Sequence, residues 1–375
     1  NFQKFFMEIE EYIHQQKELY FLILTLIEDP CDDENNFENY INFHKSQDFI
    51  KDHEEFKHEL LLISNISRNH HRNPSFFNKI FKILDYLFKD NKGTITNHEL
   101  FNTFKRNKPI LLYLIENKII LLDDIIIRYI KFSYEAIESD LFQFFLPEIK
   151  KYEEENENKT QKIEDNINFE DNRKIGENDS YISTLIRNDS VEEFITYVNK
   201  INLPLSDTKI AKSIFETNPL LIENDTTLIE YAAFFGSIQI FQYLRLNGVE
   251  LGHSLWLYAI HSNNADMIHL LEEFNVQPQD DTYCGCLVES IKCHHNSISN
   301  YIEDNLLVSN LNEYLKEKIF SASLCYSNYN HFPDNFDKYS VFYYLNRYNY
   351  SKLVNFYVEI KKREIENIRI SKIFY

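Results

Sequence analysis

Apolar residues recur every three or four positions along much of this chain, the spacing of one buried helical face. Phe76, Phe77, Ile80, Phe81, Leu84 and Leu87 predict an amphipathic helix over Ser75 to Lys89. Ile110 to Glu116 and Ile125 to Phe132 follow the same habit, and Pro30 closes a first helix after Asp29. No stretch alternates apolar and polar residues convincingly, so no strand is expected. Six Gly and eight Pro in 375 residues point the same way, because an all-β fold needs many tight turns.

A longer period is superimposed on the helical one. Residues Thr227 to Leu251 read TLIEYAAFFGSIQIFQYLRLNGVEL, Ser254 to Val276 read SLWLYAIHSNNADMIHLLEEFNV, and Cys286 to Leu307 read CLVESIKCHHNSISNYIEDNLL. Tyr231-Ala232 matches Tyr258-Ala259 at an offset of 27, and Ser290 follows 31 residues later. A weaker copy runs from Tyr181 to Val198, and a degenerate one from Ser340 to Glu359. Self-similarity at this period predicts stacked helical pairs, each burying its apolar face against the next.

Individual positions support that frame. Thr227 with Glu230, and Ser190 with Glu193, have the spacing of a capping box at a helix start. Ala232, Ala233 and Ala259 are small enough to let two helices approach closely. Gly236 falls where one helix ends and the next begins, a place that favours a left-handed backbone. Its counterparts are Asp189, Asn263 and His294. Asn, Asp and His are the non-glycine types found most often at positive φ, so all four positions fit one demand. Trp256 falls at an apolar place of the pattern and is expected in the core.

The first strong copy resembles an ankyrin repeat. Thr227 takes the Thr place of that pattern, Ala232-Ala233 its paired Ala, Gly236 its inter-helix Gly, and Asn247 to Glu250 its closing turn. Leu228 stands where the pattern has Pro, and Glu230 where it has His. The whole chain also resembles a large family of ankyrin-type proteins of parasitic protists, which has no assigned chemistry. The run NHHRNPSFF, Asn69 to Phe77, is similar to the N-terminal helical region of that family. The resemblance implies a helical scaffold that binds other proteins. Spacings of 27 and 31 fall short of the ankyrin period of about 33. The deficit predicts shortened or missing β-hairpin fingers between repeats.

The expected fold is all-α: an N-terminal helical domain over 1–149, a charged linker over 150–178 and a degenerate ankyrin-like helical solenoid over 179–375. The linker is placed where nine acidic and six basic residues interrupt the apolar periodicity. Pro204 and Pro219 predict an extended loop over Leu203 to Asp225. The chain opens on Asn1 and ends at IRISKIFY without a clear cap, so an extension at either end is an expectation.

Charge and cysteine usage narrow the partners. A formal net charge of −20 argues against nucleic acid, whose phosphates need a basic surface. The longest apolar run, Leu19 to Ile27, is too short to span a bilayer, so no membrane insertion is expected. Five cysteines without a regular frame fit a reducing compartment, and a cytoplasmic location is expected.

Candidate chemistry is sparse. Phe88 to Leu100 imitates a calcium loop, with Asp90, Gly93, Ile95 and Glu99 at loop places, but Phe88 and Lys92 occupy ligand positions. Thr96 and Glu99 have a simpler role as a capping box. Cys284, Cys286, Cys293, His294 and His295 include enough zinc ligands. Yet seven helical residues place Cys286 and Cys293 about 10 Å apart, too far for one tetrahedral ion. His70-His71 is expected to hydrogen-bond locally. No metal, cofactor or catalytic residue is expected, and no nucleotide-binding or hydrolase motif is present.

The leading expectation is a scaffold or adaptor that binds another protein, and not an enzyme. In the ankyrin pattern the contact positions lie at the end of the first helix and in the closing turn. The resemblance places Phe234, Phe235, Glu250, His261, Ser262 and Lys292 there. Packing of Phe234 or Phe235 against a neighbouring repeat is the alternative for those two. An enzyme in the N-terminal domain would show clustered shifted titratable groups in a cleft. A structural spacer would show no clustered exposed aromatics.

Overall fold

The computed structural model describes residues 2–31, 33–47, 52–89, 91, 93–133, 140–157, 167–280, 282–307, 313–332 and 339–373. The protein is all-α, helical over 71% of the chain. Among the described residues the only pairing of extended chain is one antiparallel bridge, Lys209 to Thr227. None of the described helices is long and apolar enough to cross a membrane. All five cysteines are free thiols.

The chain divides into two compact units, one of Asn1–Phe49 with Leu307–Tyr375, the other of Ile50–Leu306. The first unit holds α1 (Phe2–Glu28) and α2 (Glu34–Gln47) from the start of the chain. In the second lie α3 (His53–Asn69), α4 (Phe76–Lys89), α5 (Asn97–Phe104), α6 (Lys108–Glu116) and α7 (Asp124–Phe132). Then follow α8 (Leu141–Phe144), α9 (Leu146–Glu157) and α10 (Ile167–Ile175). Next come α11 (Tyr181–Arg187), α12 (Val191–Lys200) and α13 (Pro219–Glu223). The strong repeats are α14 (Leu228–Phe235) with α15 (Ile238–Leu246), α16 (Leu255–His261) with α17 (Ala265–Glu273), and α18 (Cys284–Lys292) with α19 (Asn296–Tyr301). A π-helical turn, Ile302–Leu306, ends this unit. The end of the chain returns to the first unit with α20 (Glu313–Tyr326), α21 (Tyr339–Arg347) and α22 (Ser351–Ile373).

The division differs from the one expected at 150–178. The described part of that run is not an extended connection but α9 and α10. Arg173 of α10 is 1% exposed. Its guanidinium donates to both oxygens of Glu148 at 2.7 and 3.0 Å, to Glu170 at 2.5 Å and to the Phe144 carbonyl at 3.0 Å. Opposite charges that look like a solvated run therefore join α8, α9 and α10 into one body. The degenerate copy at 340–359 belongs to the first unit, where Leu353 and Tyr357 are buried.

Repeated backbone geometry organises the strong copies. Asp189, Gly236, Asn263 and His294 all have positive φ, at 47°, 68°, 50° and 59°. Asn202, Gly248 and Asn275 take the same conformation after the second helices, at 50°, 84° and 53°. At Asp189, Gly236 and His294 the next backbone N–H reaches back to the carbonyl five residues earlier, which closes a Schellman turn. Only a left-handed residue bends the chain enough for that bond. No strand forms in the connections 247–254 and 274–283 among the described residues, as the short period predicts.

The capping signals divide. Thr96 with Glu99 and Thr227 with Glu230 form complete boxes. Ser190 makes no side-chain cap, because its ψ of 73° turns away from the extended geometry that Thr227 has at 167°. Nor does Ser237 cap α15; its hydroxyl instead donates to the Ile186 carbonyl at 2.5 Å. Asp189 of the preceding pair supplies that cap, accepting from the backbone of Gln239 at 3.0 Å and of Ile240 at 2.9 Å.

First helices pack side by side in the order α11, α14, α16, α18. Ala232 and Ala259 are both 0% exposed on α14 and α16, whereas Ala265 at the start of α17 is exposed. Ala232→Leu and Ala259→Leu should each cost about 1–3 kcal/mol by overpacking. Ala265→Leu should stay within about 0.5 kcal/mol. Urea denaturation followed by the fluorescence of Trp256, the single tryptophan, reads the difference. Equal tolerance at all three positions would disprove the helix-contact assignment.

Candidate functional site

The two segments singled out in the sequence, Asn69 to Phe77 and the repeat helices, meet in the second unit around one cleft. Its volume is about 630 Å³. His71 to Pro74 form one rim, and α4 and α6 supply a wall of Phe77, Phe81, Pro109 and Tyr113. Lys174, Ile175 and Glu177 close a second side, and Arg187 with Phe235, at the ends of α11 and α14, close the third.

The wall is a row of stacked planar groups. Arg72 lies over the Phe77 ring at 5.0 Å. Phe77 stacks on Phe81 at 6.1 Å, and Phe81 on Tyr113 at 4.1 Å with an interplanar angle of 5°. The α-helical spacing of Phe77 and Phe81 produces the first stack, since residues four apart share a face. Asp85, one further turn along α4, accepts from the Tyr113 hydroxyl. Phe77, Phe81, Tyr113 and Phe235 are all half-buried, and Ile175 is 51% exposed beside them. Partly exposed rings thus stand on two sides of one concavity, with Ile175 on a third.

Most of the polar frame of the cleft is paired within the chain, although Arg72 Nη2 is buried with no hydrogen-bond partner among the described residues. Arg72 donates through Nη1 to the Gly176 carbonyl at 3.1 Å and to Thr217 Oγ1 at 2.5 Å. Gly176 has φ +71°, and an added Cβ would meet Pro109 Cγ at 2.7 Å, so only glycine lets the chain pass there. Arg187 pairs with Glu177 at 2.9 Å and donates to the Asn178 carbonyl at 2.5 Å. Burial raises the Glu177 carboxyl above its ordinary range against the pull of Arg187 and Arg72. Burial likewise raises Glu116, against Lys174 and Arg173. Lys174 itself is exposed at the rim.

Behind the rim lies a buried histidine cluster. His295 Nδ1 is 2.8 Å from the Ile260 carbonyl, so it carries the proton and donates. Its Nε2 is then free to accept from the His71 backbone N–H at 3.1 Å. Burial drives His295 and His294 well below the ordinary imidazole value, and holds His71 at about 4 with help from His70. His70 also bonds locally, Nδ1 to the His71 carbonyl at 2.8 Å. The expected local role of His70-His71 therefore covers only half of what they do; a bond across 224 residues of sequence fixes the rim to the repeats.

Next to these, His261 Nε2 meets Glu289 Oε1 at 2.7 Å, and Lys292 Nζ meets the same oxygen at 2.9 Å. Burial would raise the Glu289 carboxyl, but the His261 hydrogen bond and the Lys292 charge outweigh it and hold it at about 2. His261 is lowered by burial despite Glu289, and so stays neutral. Cys293 Sγ stands 3.5 Å from both His261 ring nitrogens. Burial pushes its thiol well above the ordinary range.

The six sequence-assigned contact residues separate into two groups. Phe234 is 7% exposed and stacks on His261 at 5.0 Å, which is the packing alternative. His261 and Ser262 are 1% and 4% exposed, and Ser262 Oγ donates to the Ala259 carbonyl at 2.6 Å. These three face inward because the chain covers the ends of its own first helices. The Arg68 carbonyl accepts from Asn218 Nδ2 at 3.4 Å, and Asn218 in turn lies 3.5 Å from His261 Nδ1. Phe235, half-buried, lines the cleft; Glu250 is exposed in its turn; Lys292 is half-buried against Glu289. Of the imitation calcium loop, Asp90 and Lys92 lie outside the described residues, Phe88 is buried in α4, and Glu99 caps α5. Compared with family models, with curated proteins and with solved structures, the chain matches none.

Proposed function

We propose that the protein binds another protein, and that the cleft between the Asn69 to Phe77 turn and the ankyrin-like repeats takes a short peptide segment of that partner. The observation that carries this reading is the set of half-exposed rings, Phe77, Phe81, Tyr113 and Phe235, around one concavity. Clefts of this size take an apolar or aromatic side chain, and half-exposed rings provide contact area at low entropic cost. A spacer would have no use for them.

An enzyme reading draws on the shifted groups around the same cleft. Two of those groups are held by structural partners: Arg72 by Gly176 and Thr217, and Glu177 by Arg187. His71, with its ring held at about 4, is a poor base at neutral pH. Binding therefore fits the cleft better than catalysis.

The test is selection of peptides from a displayed library on the full chain, followed by affinity measurement on variants. Phe235→Ala and Ile175→Glu should each weaken a selected peptide at least about ten-fold, about 1.4 kcal/mol. Leu246→Glu, at a side chain 74% exposed and outside the cleft, should leave it unchanged. Peptides indifferent to Phe235 and Ile175, or a selection that enriches none, would end the proposal.

A further inference from the structure

We infer that His261, Glu289 and Cys293 form a zinc site. Their ligand atoms all lie within 4.8 Å of one another, and two of the three residues are buried. Glu289 and Cys293 are four residues apart at the end of α18, so they present their side chains on one helical face. His261 comes from the end of α16, which packs against α18.

The donor types fit this ion, and small side-chain movements bring the distances to it. With Zn–N near 2.0 Å and Zn–S near 2.3 Å, a tetrahedral nitrogen–sulfur edge is about 3.5 Å. His261 Nε2 and Cys293 Sγ are 3.5 Å apart, but Sγ is equally 3.5 Å from Nδ1 and so lies over the ring; the Cys293 side chain must swing toward the Nε2 side to share an ion with it. A nitrogen–oxygen edge is about 3.3 Å on the same geometry. The 2.7 Å His261–Glu289 hydrogen bond must open by about 0.6 Å to reach it, the ion taking the place of the shared proton. One sulfur, one imidazole and one carboxylate are the mixed donors that zinc accepts.

Charge balance is satisfied as well. Zinc brings two positive charges, and the Glu289 carboxylate with a Cys293 thiolate supplies two negative ones. Binding releases the Cys293 thiol proton to solvent and moves the remaining His261 proton to Nδ1, so Asn218 Nδ2, itself a donor at 3.5 Å, must turn away from the ring. Lys292, 19% exposed, leaves the carboxylate for water. Three protein donors leave a fourth position for a water molecule.

The repeat frame does not by itself call for these residues. In neighbouring copies the place of His261 holds Phe234 and Lys292, that of Glu289 holds Tyr231 and Tyr258, and that of Cys293 holds Phe235 and Ser262. Only the α16–α18 contact assembles three donors among the described residues. It is a different set from the Cys284 to His295 cluster that the sequence offers.

Cobalt serves as the optical stand-in for zinc. The full chain, stripped with a chelator under reducing conditions, should bind one Co²⁺ with a thiolate-to-metal band and tetrahedral visible bands, and Zn²⁺ should displace it. Cys293→Ser should lose the thiolate band, and Glu289→Gln should weaken Co²⁺ binding at least ten-fold. Lys292→Gln should tighten it, by removing the competing cation. Cys31→Ser and Cys325→Ser should retain the whole spectrum, and circular dichroism checks that each variant is folded. Failure of the unsubstituted chain to bind one equivalent would overturn the assignment, as would a thiolate band that survives in Cys293→Ser.

Discussion

Arg173→Ala should destabilise the second unit by about 3–5 kcal/mol, the usual result of removing one member of a buried ion pair. Arg173 is 1% exposed, and every acceptor around it is fixed by a helix: Phe144 in α8, Glu148 in α9 and Glu170 in α10. Without the guanidinium, Glu148 loses its fork in a site with 15% exposure, and the Phe144 carbonyl loses its partner. The Phe144 and Phe169 rings also lose the cation that lies 5.6 and 5.2 Å from them. Arg173→Lys should recover little, because an ammonium cannot hold both Glu148 oxygens in a parallel fork. Urea titration watched by circular dichroism gives the number. A cost below about 1 kcal/mol, the range of surface pairs, would mean that α10 is not anchored as described.

Trp256→Ala should cost about 3–5 kcal/mol, a large cavity at a site that cannot easily collapse. The indole is 0% exposed, with its edge toward the Tyr283 ring at 5.0 Å. Its Nε1 donates to the Val276 carbonyl at 2.6 Å and so ties α16 to the start of the connection that follows α17. Trp256→Phe separates the two contributions. It keeps most of the volume and strands one buried carbonyl, so about 1–3 kcal/mol should remain. Near-equal losses for Ala and Phe would put the weight on the hydrogen bond; a loss near zero for both would contradict burial.

What the sequence makes legible here is local. The helices α4, α6 and α7 follow from apolar spacing within one segment, and their observed limits, Phe76–Lys89, Lys108–Glu116 and Asp124–Phe132, lie within two residues of the expected ones. The positive φ at Asp189, Gly236, Asn263 and His294 follows from residue type at equivalent places. Contacts distant in sequence are another matter. A charge-rich run such as Lys150 to Asn178 looks the same whether its arginine faces water or a carboxylate fork, so Arg173 was invisible as an anchor. The burial of Phe234, His261 and Ser262 depends on which segment covers the first helices, and that segment sits about Arg68 to Pro74, far upstream. Neither the cleft nor the His261–Glu289 pair has a sequence signature, since each is assembled from helices that no motif links. A hint existed in His70-His71, polar residues between two apolar helices, which needed partners somewhere in the fold.

The composition of the first unit from both ends of the chain sets an order on biosynthesis. Residues 50–306 form the second unit as one uninterrupted stretch, available to fold as soon as it leaves the ribosome. α1 and α2 are made before that stretch, whereas α20, α21 and α22 of the same unit are made after it. At about 5–20 residues per second, the 257 residues of 50–306 take roughly 13–50 s to synthesise. Through that interval α1 lacks its later-made neighbours, among them Tyr329 against Tyr20 and Phe356 against Tyr12. Helix α1 is therefore a segment for a chaperone to hold until the rest of its unit has been made.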